Sequence, residues 1–77
     1  MNPIIHGGKV IKHCRKQARK TQMEAAKKYG VSAYAVGKWE RGDCKVFWDD
    51  AFGICGSLGF SHFQTMQITL DLMKAEK

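Results

Sequence analysis

Helix boundaries can be identified within residues 21–42, and they constrain the fold more than any other part of the chain. Thr21 followed three residues later by Glu24 forms a capping box, a pattern that begins a helix. Gly30 suits the left-handed position that follows a helix, and Ser32 is a good N-cap for the next one. The pattern predicts two short helices joined by a tight turn.

The second of these helices has two different faces. Val36 and Trp39 are predicted to face inward with Ala35, because their spacing is helical. The other side carries mostly small and polar residues, namely Ala33, Tyr34, Gly37, Lys38 and Arg41, before a stop at Gly42. On that exposed side, Gly37 would permit the close approach of another molecule. A packed helix followed by an exposed one is the arrangement of a DNA-reading helix-turn-helix.

One further helix is predicted before this pair and another after it. Residues 1–7 are interpreted as a flexible arm, with Pro3 and the Gly7-Gly8 pair as breakers. A helix over 9–20 follows, with Val10, Ile11, Cys14 and Ala18 on its apolar side. A later helix over about 47–58 has the inward stripe Phe47, Ala51, Ile54, Cys55 and Leu58. The predicted fold is an all-α bundle of about five helices in a single domain, 1–77.

The segment 61–77 has two possible structures. Ser61 and Gln64 form another capping box, which favours a helix to about Met66. Beyond that point apolar and polar residues also alternate, as they do in a strand. Either form leaves exposed apolar surface, so we interpret 61–77 as a dimerisation segment. Its predicted interface residues are Phe63, Met66, Ile68, Leu70, Leu72 and Met73.

The charge of the chain is uneven. Residues 1–45 contain eleven Lys or Arg and three acidic residues, a net charge of +8, whereas residues 46–77 have a net charge of −2. The positive charge coincides with the predicted helix pair, which suits a polyanionic partner. No apolar stretch is long enough for a membrane span, so we expect a soluble, cytoplasmic protein and no membrane partner.

Cysteine, histidine and acidic residues do not form a recognisable chemical site. Cys14, Cys44 and Cys55 are far apart, and neither they nor the three histidines have the spacing of a zinc site. No paired carboxylates or nucleophile–base set is evident. We therefore expect no metal, no cofactor and no enzymatic activity.

From Lys9 to about Met66 the chain resembles the lambdoid phage repressor/Cro helix-turn-helix family, also called XRE-like. The residues that carry the resemblance are Arg15, Thr21-Gln22, Ala26, Gly30-Val31-Ser32, Val36, Trp39-Glu40-Arg41-Gly42 and Leu58-Gly59-Phe60-Ser61. The chain departs from the family pattern at Ala25, where Leu is usual, and at Lys45-Val46, where Pro commonly opens the next helix.

The resemblance implies a repressor-like protein that binds an operator in double-stranded DNA as a homodimer. Gln22 matches the glutamine that binds a DNA phosphate, and Arg15 with Glu40 matches a structural ion pair. The DNA-facing positions of the family correspond to Ser32, Ala33, Tyr34, Gly37 and Lys38. We add Arg41, Lys45 and Lys20 as further DNA contacts from their charge and position, and Lys38 as the best candidate to read guanine.

An alternative function is an interaction module, similar to an antitoxin or adaptor, that uses its apolar C-terminal segment to bind a partner protein. The two functions differ in the expected assembly, which is a homodimer on DNA in one case and a complex with another protein in the other.

Overall fold

The computed structural model describes residues 7–75, with side chains described through residue 74. Five helices occur in this range: α1 (Gly7–Gln17), α2 (Gln22–Tyr29), α3 (Ala33–Arg41), α4 (Trp48–Ser57) and α5 (His62–Ala75). No strand is present between residues 7 and 75. The prediction of an all-α bundle is therefore confirmed.

The core lies where α1 meets the other helices. Helix α1 contacts α3, α4 and α5, while α2 packs against α3 and α4. The buried hydrophobic residues are Val10, Ile11, Cys14, Ala25, Ala26, Val36, Val46, Ala51, Ile54 and Cys55. Most of these side chains are small, so the hydrophobic stabilisation per residue is modest, as is usual in a domain of this size.

The predicted boundaries of α2 and α3 are confirmed. Thr21 Oγ1 accepts from the Glu24 amide at 3.1 Å, and the Glu24 carboxylate accepts from the Thr21 amide at 2.8 Å. Gly30 adopts a φ of 92°, which an L side chain would strain, and its amide donates to the Ala26 carbonyl. Ser32 Oγ caps α3 by accepting from the Ala35 amide at 3.1 Å. Local hydrogen bonds thus fix both ends of the connection.

The predicted start of the first helix is wrong. Gly7 and Gly8 do not break the chain but form the first residues of α1, and both are buried. A methyl group at Gly7 would lie 2.6 Å from Val46 Cγ1, so this glycine allows α1 to pack closely against Val46. α1 also ends at Gln17 rather than at residue 20. The rest of the predicted arm, residues 1–6, lies outside the described range.

The fourth helix is close to its prediction except at its first residue. Phe47 is the N-cap of α4 rather than part of its inward stripe, and 71% of its surface is exposed. Ala51, Ile54 and Cys55 are buried as predicted. α4 is also tied to α2, because the Tyr29 hydroxyl donates to Asp50 Oδ1 at 2.8 Å. That hydrogen bond raises the pKa of Tyr29.

The C-terminal segment is helical from His62 to Ala75, and the strand alternative is wrong. The predicted capping box is present, since Ser61 Oγ accepts from the Gln64 amide and Gln64 Oε1 accepts from the Ser61 amide. The alternating apolar residues divide between two helix faces. Ile68 and Leu72 pack against the core, whereas Met66 and Leu70 are exposed. Residues four apart lie on the same face of a helix, so Ile68 and Leu72 form one face while Met66 and Leu70 form another.

Two of the cysteines are core residues, as predicted. Cys14 and Cys55 are fully buried, and Cys44 is exposed; all three thiols are free. The hydrogen bond with Cys14, together with burial, raises the pKa of the Cys55 thiol. Between residues 7 and 75, no helix has the length and hydrophobicity needed to cross a membrane.

Candidate nucleic-acid interface

A network of polar side chains joins α1, the start of α2 and the end of α3. Arg15 Nε donates to Glu40 Oε2 at 2.7 Å, and Arg15 Nη2 donates to Oε1 at 3.0 Å. Arg15 Nη1 also donates to the Lys20 carbonyl at 2.8 Å. Because both oxygen atoms of the Glu40 carboxylate accept hydrogen bonds, the pair fixes the orientation of the two side chains as well as the distance between them. The predicted Arg15–Glu40 ion pair is confirmed.

This network lies mostly away from solvent. Only 13% of the Arg15 side chain and 3% of the Glu40 side chain are exposed. The hydrogen bond to Glu40 raises the pKa of Arg15, so the guanidinium remains charged throughout the physiological range. A charge pair with this degree of burial is costly to break, because each partner would be left desolvated and unpaired.

Gln22 belongs to the same network, which its position in the sequence does not show. Its Nε2 donates to Glu40 Oε1 at 3.0 Å, so the amide lies across α3 rather than extending into solvent. The side chain predicted to bind phosphate is therefore held in place by the structural ion pair. The second N–H of Nε2 makes no hydrogen bond within the described part of the chain.

The outer face of α3 presents one aromatic and one basic side chain. Tyr34 is 72% exposed, and Lys38 Nζ lies 5.2 Å from the centroid of its ring. This distance is within the range of a cation–π contact, which at an exposed site is worth about 0.5–1 kcal/mol. Ser32 is exposed just before them, while Ala33 is half-buried and packs against the core. Of the predicted reading positions, Ser32 and Tyr34 are exposed and Lys38 is half-buried.

The predicted exposure of Gly37 is wrong. Gly37 is buried, because side chains from two directions cover it. A methyl group at this position would lie 3.3 Å from Arg41 Nη1 and 3.4 Å from Gln22 Oε1. The missing side chain therefore makes room for residues of the same protein.

The remaining basic residues predicted to contact DNA are Arg41, Lys45 and Lys20. Arg41 is exposed, and its Nε donates to Asp43 Oδ2 at 2.9 Å; Asp43 was not among the predicted residues. The sequence could have indicated Asp43, because this residue stands two positions after Arg41. Lys45 is exposed in the loop before α4, and Lys20 is half-buried just before α2. The structure gives neither lysine a specific side-chain hydrogen bond to another described residue.

A second exposed surface lies on α5, and we call Phe63, Met66 and Leu70 the outer stripe. Their exposed fractions are 76%, 47% and 48%. The other residues predicted for this interface differ: Ile68 and Leu72 pack against the protein's own core, and Met73 is half-buried. The predicted interface is therefore reduced to one face of α5, because its opposite face completes the bundle.

The described residues contain no cluster of three or more His, Cys, Asp or Glu side chains that could hold a metal ion. One surface depression, with a volume of about 410 Å³, is lined by His13, Lys16, Gln17 and Arg19. It is wide and open, so it does not enclose a small molecule. No family model, curated protein or solved structure matches the chain.

Proposed function

We propose that this protein is a sequence-specific regulator of transcription that binds double-stranded DNA, acting as a small dimeric repressor of phage or mobile-element type. The observation that carries the proposal is the outer face of α3, with the exposed Tyr34 beside the half-buried Lys38, backed by the Arg15–Glu40 pair and its hydrogen bond from Gln22. A helix that reads base edges needs exposed side chains on a rigid support, and α3 has both. The bulk of the positive charge lies in the same half of the chain.

The roles of the side chains follow from their chemistry. Lys38 can donate to guanine O6 or N7, and Tyr34 offers a ring edge and one hydroxyl to the floor of the groove. Gln22, Arg41, Lys45 and Lys20 supply donors and charge for phosphates, which position the protein but carry no sequence information. Neither role needs a cofactor or a chemical reaction, so the proposed activity is binding alone.

The outer stripe of α5 is the proposed dimer interface. Phe63, Met66 and Leu70 are uncharged and lie on one helix face, so two copies can pair through them. The stripe lies in the half of the chain with a net charge of −2. The proposal requires that such a two-fold pair place its two α3 helices in successive major grooves, about 34 Å apart. Such a dimer would cover its operator in the cytoplasm and exclude polymerase.

The test is selection from a library of duplex fragments that includes the DNA flanking the protein's own gene, at near-physiological salt. Nonspecific binding falls steeply with salt, so a preference that persists there reports base recognition. The key variant combines Tyr34→Ala with Lys38→Ala. The charge-matched control is Lys74→Ala, which removes one positive charge from α5.

The expected result is that the wild type and Lys74→Ala select the same fragment, while the double variant folds normally and loses the preference. A single-stranded RNA competitor should not displace the selected duplex. Equal binding of every fragment by wild type and double variant would contradict the proposal.

A protein-interaction module is the second candidate, and the exposed outer stripe is the observation that favours it. In that case the stripe would bind a different protein rather than a second copy. Purified protein alone would then remain monomeric at micromolar concentration, whereas the repressor proposal requires self-association in that range.

A further inference from the structure

Three rings come together where the start of α4 lies beside the start of α5. Trp48 is the first residue of α4, Phe52 lies one turn further along it, and His62 is the first residue of α5. The ring centroids of Trp48 and Phe52 are 6.3 Å apart, and those of Phe52 and His62 are 4.5 Å apart. Together with Asp49 these rings line a surface depression of about 230 Å³, which we call the aromatic pocket.

The rings are inclined to one another rather than stacked. The planes of Trp48 and Phe52 meet at 74°, and those of Phe52 and His62 meet at 46°. The rings therefore do not cover each other face to face, and 38% of the Trp48 surface is exposed. The face of an aromatic ring is the negative part of its quadrupole, so it attracts a cation within about 6 Å of the ring centroid, and indole does so most strongly. The walls of the aromatic pocket thus suit a positive charge.

Asp49 adds a negative charge that has no partner within the protein's described residues. Its side chain is exposed and makes no hydrogen bond or ion pair with another of them, whereas the adjacent Asp50 accepts from the Tyr29 hydroxyl. No Lys or Arg from the described part of the chain lines the pocket. An uncharged ligand would desolvate this carboxylate without compensation, while a cation would pair with it. Charge and rings therefore favour the same kind of ligand.

We infer that the aromatic pocket binds the head group of a small quaternary ammonium cation. This inference goes beyond the proposed function and does not depend on DNA binding. The pocket is smaller than the range of about 300–1,000 Å³ that is usual for drug-sized ligands, so it suits a compact group. A methylated ammonium fits better than a primary one, because aromatic faces poorly replace the water that the three N–H donors of a primary ammonium would lose.

The test titrates the protein with choline at constant ionic strength, without DNA, while NMR follows the Trp48 indole N–H and the Asp49 amide. Two probes separate charge from methylation. Dimethylbutanol, the neutral isostere of choline, has carbon in place of the quaternary nitrogen, and ethanolamine has hydrogen in place of the methyl groups. We expect saturable shifts with choline, and binding at least about tenfold weaker with each of the other probes. Equal affinity of choline and either probe would overturn the inference.

A ring variant tests whether the aromatic wall binds the cation. Trp48→Leu keeps an apolar side chain but removes the indole, so choline affinity should fall about tenfold. The matched control is Phe47→Leu, because Phe47 is an exposed neighbouring aromatic residue that does not line the pocket, and it should bind choline as wild type does. Equal choline affinity of the two variants would contradict the inference.

A charge variant tests the carboxylate with almost no change of shape. Asp49→Asn should weaken choline binding and leave the weak binding of dimethylbutanol unchanged, because only the cation pairs with the carboxylate. Asp71→Asn is the matched control, since it removes an exposed negative charge from α5 outside the pocket, and it should retain wild-type affinity. Circular dichroism verifies that each variant folds, and this nearly isosteric change is decisive if Trp48→Leu does not. Wild-type choline affinity in Asp49→Asn would overturn the inference.

Discussion

Glu40 accepts three hydrogen bonds from two side chains while almost none of its own side chain reaches solvent. Arg15 and Gln22 both depend on it, and through them α1 and the start of α2 are fixed relative to α3. Arg41 and Asp43 form an ion pair of similar length, but each of these side chains is more than half exposed. The pairs also differ in geometry, since Arg15 donates to both oxygens of its partner and Arg41 to one, but burial decides how much each contributes.

Glu40→Ala is expected to lower the free energy of unfolding by about 3 kcal/mol or more, because it leaves the Arg15 charge buried without a partner. Asp43→Ala is the matched control and should cost less than about 1 kcal/mol, since water solvates the exposed Arg41. Urea denaturation followed by far-UV circular dichroism measures both. Similar losses for the two variants would show that the buried network does not hold the helices together.

Helix α4 shows how packing changes the effect of a glycine within one element. A methyl group at Gly53 would lie 2.7 Å from Tyr29 Cε1 and 2.9 Å from its hydroxyl, whereas one at Gly56 would meet no neighbouring residue within 4 Å. The Tyr29 ring is held there by its hydrogen bond to Asp50. Gly53 is thus the site at which Tyr29 of α2 packs against α4, and Gly56 lies on the exposed side of the same helix.

Gly53→Ala and Gly56→Ala are therefore expected to change stability in opposite directions. Gly56→Ala should raise the free energy of unfolding by about 1 kcal/mol through helix propensity. Gly53→Ala gains the same propensity but must displace Tyr29, and overpacking of this kind costs about 1–3 kcal/mol. Thermal and urea unfolding of the two proteins provide the comparison. A stabilised Gly53→Ala variant would mean that Tyr29 moves away from α4 at little cost.

At the scale of the whole molecule, charge and apolar surface lie in different halves of the chain. The basic residues are concentrated before residue 46, together with α3, which carries the exposed Tyr34 and the half-buried Lys38. The outer stripe of α5 lies in the other half and contributes little to the molecule's own core. This separation is one of sequence position, because α1 of the basic half packs against α5 in the fold.

Met66→Glu is expected to convert the proposed dimer into a monomer. The dissociation constant should rise by at least about tenfold, because burying an unpaired carboxylate costs more than the roughly 1.4 kcal/mol that a tenfold change represents. Met23→Glu is the matched control, since Met23 is 70% exposed on α2 and lies outside the stripe. Sedimentation equilibrium at several concentrations measures the association. A Met66→Glu protein that still dimerises would exclude the outer stripe as the interface.

The sequence by itself determined the features that depend on nearby residues. The caps at Thr21, Ser32 and Ser61 need partners only three residues away, so the pattern alone predicts where α2 and α3 begin and that a helix follows Ser61. Periodicity also predicts the buried Val10, Ile11 and Cys14 of α1, although not the buried Gly7 and Gly8. The Arg15–Glu40 pair spans 25 residues, and its prediction came from resemblance to a family rather than from local pattern.

The tertiary structure decided which side of each element is covered. Gly37 is buried because Gln22 arrives from another helix, and no local pattern specifies that arrival. Phe47 is exposed because the chain enters α4 at that residue, outside the packed stripe. In α5, packing against the bundle selects Ile68 and Leu72 as inward residues and leaves the outer stripe free. Local hydrogen bonds are encoded by neighbours in sequence, whereas burial depends on surfaces that only the folded chain brings together.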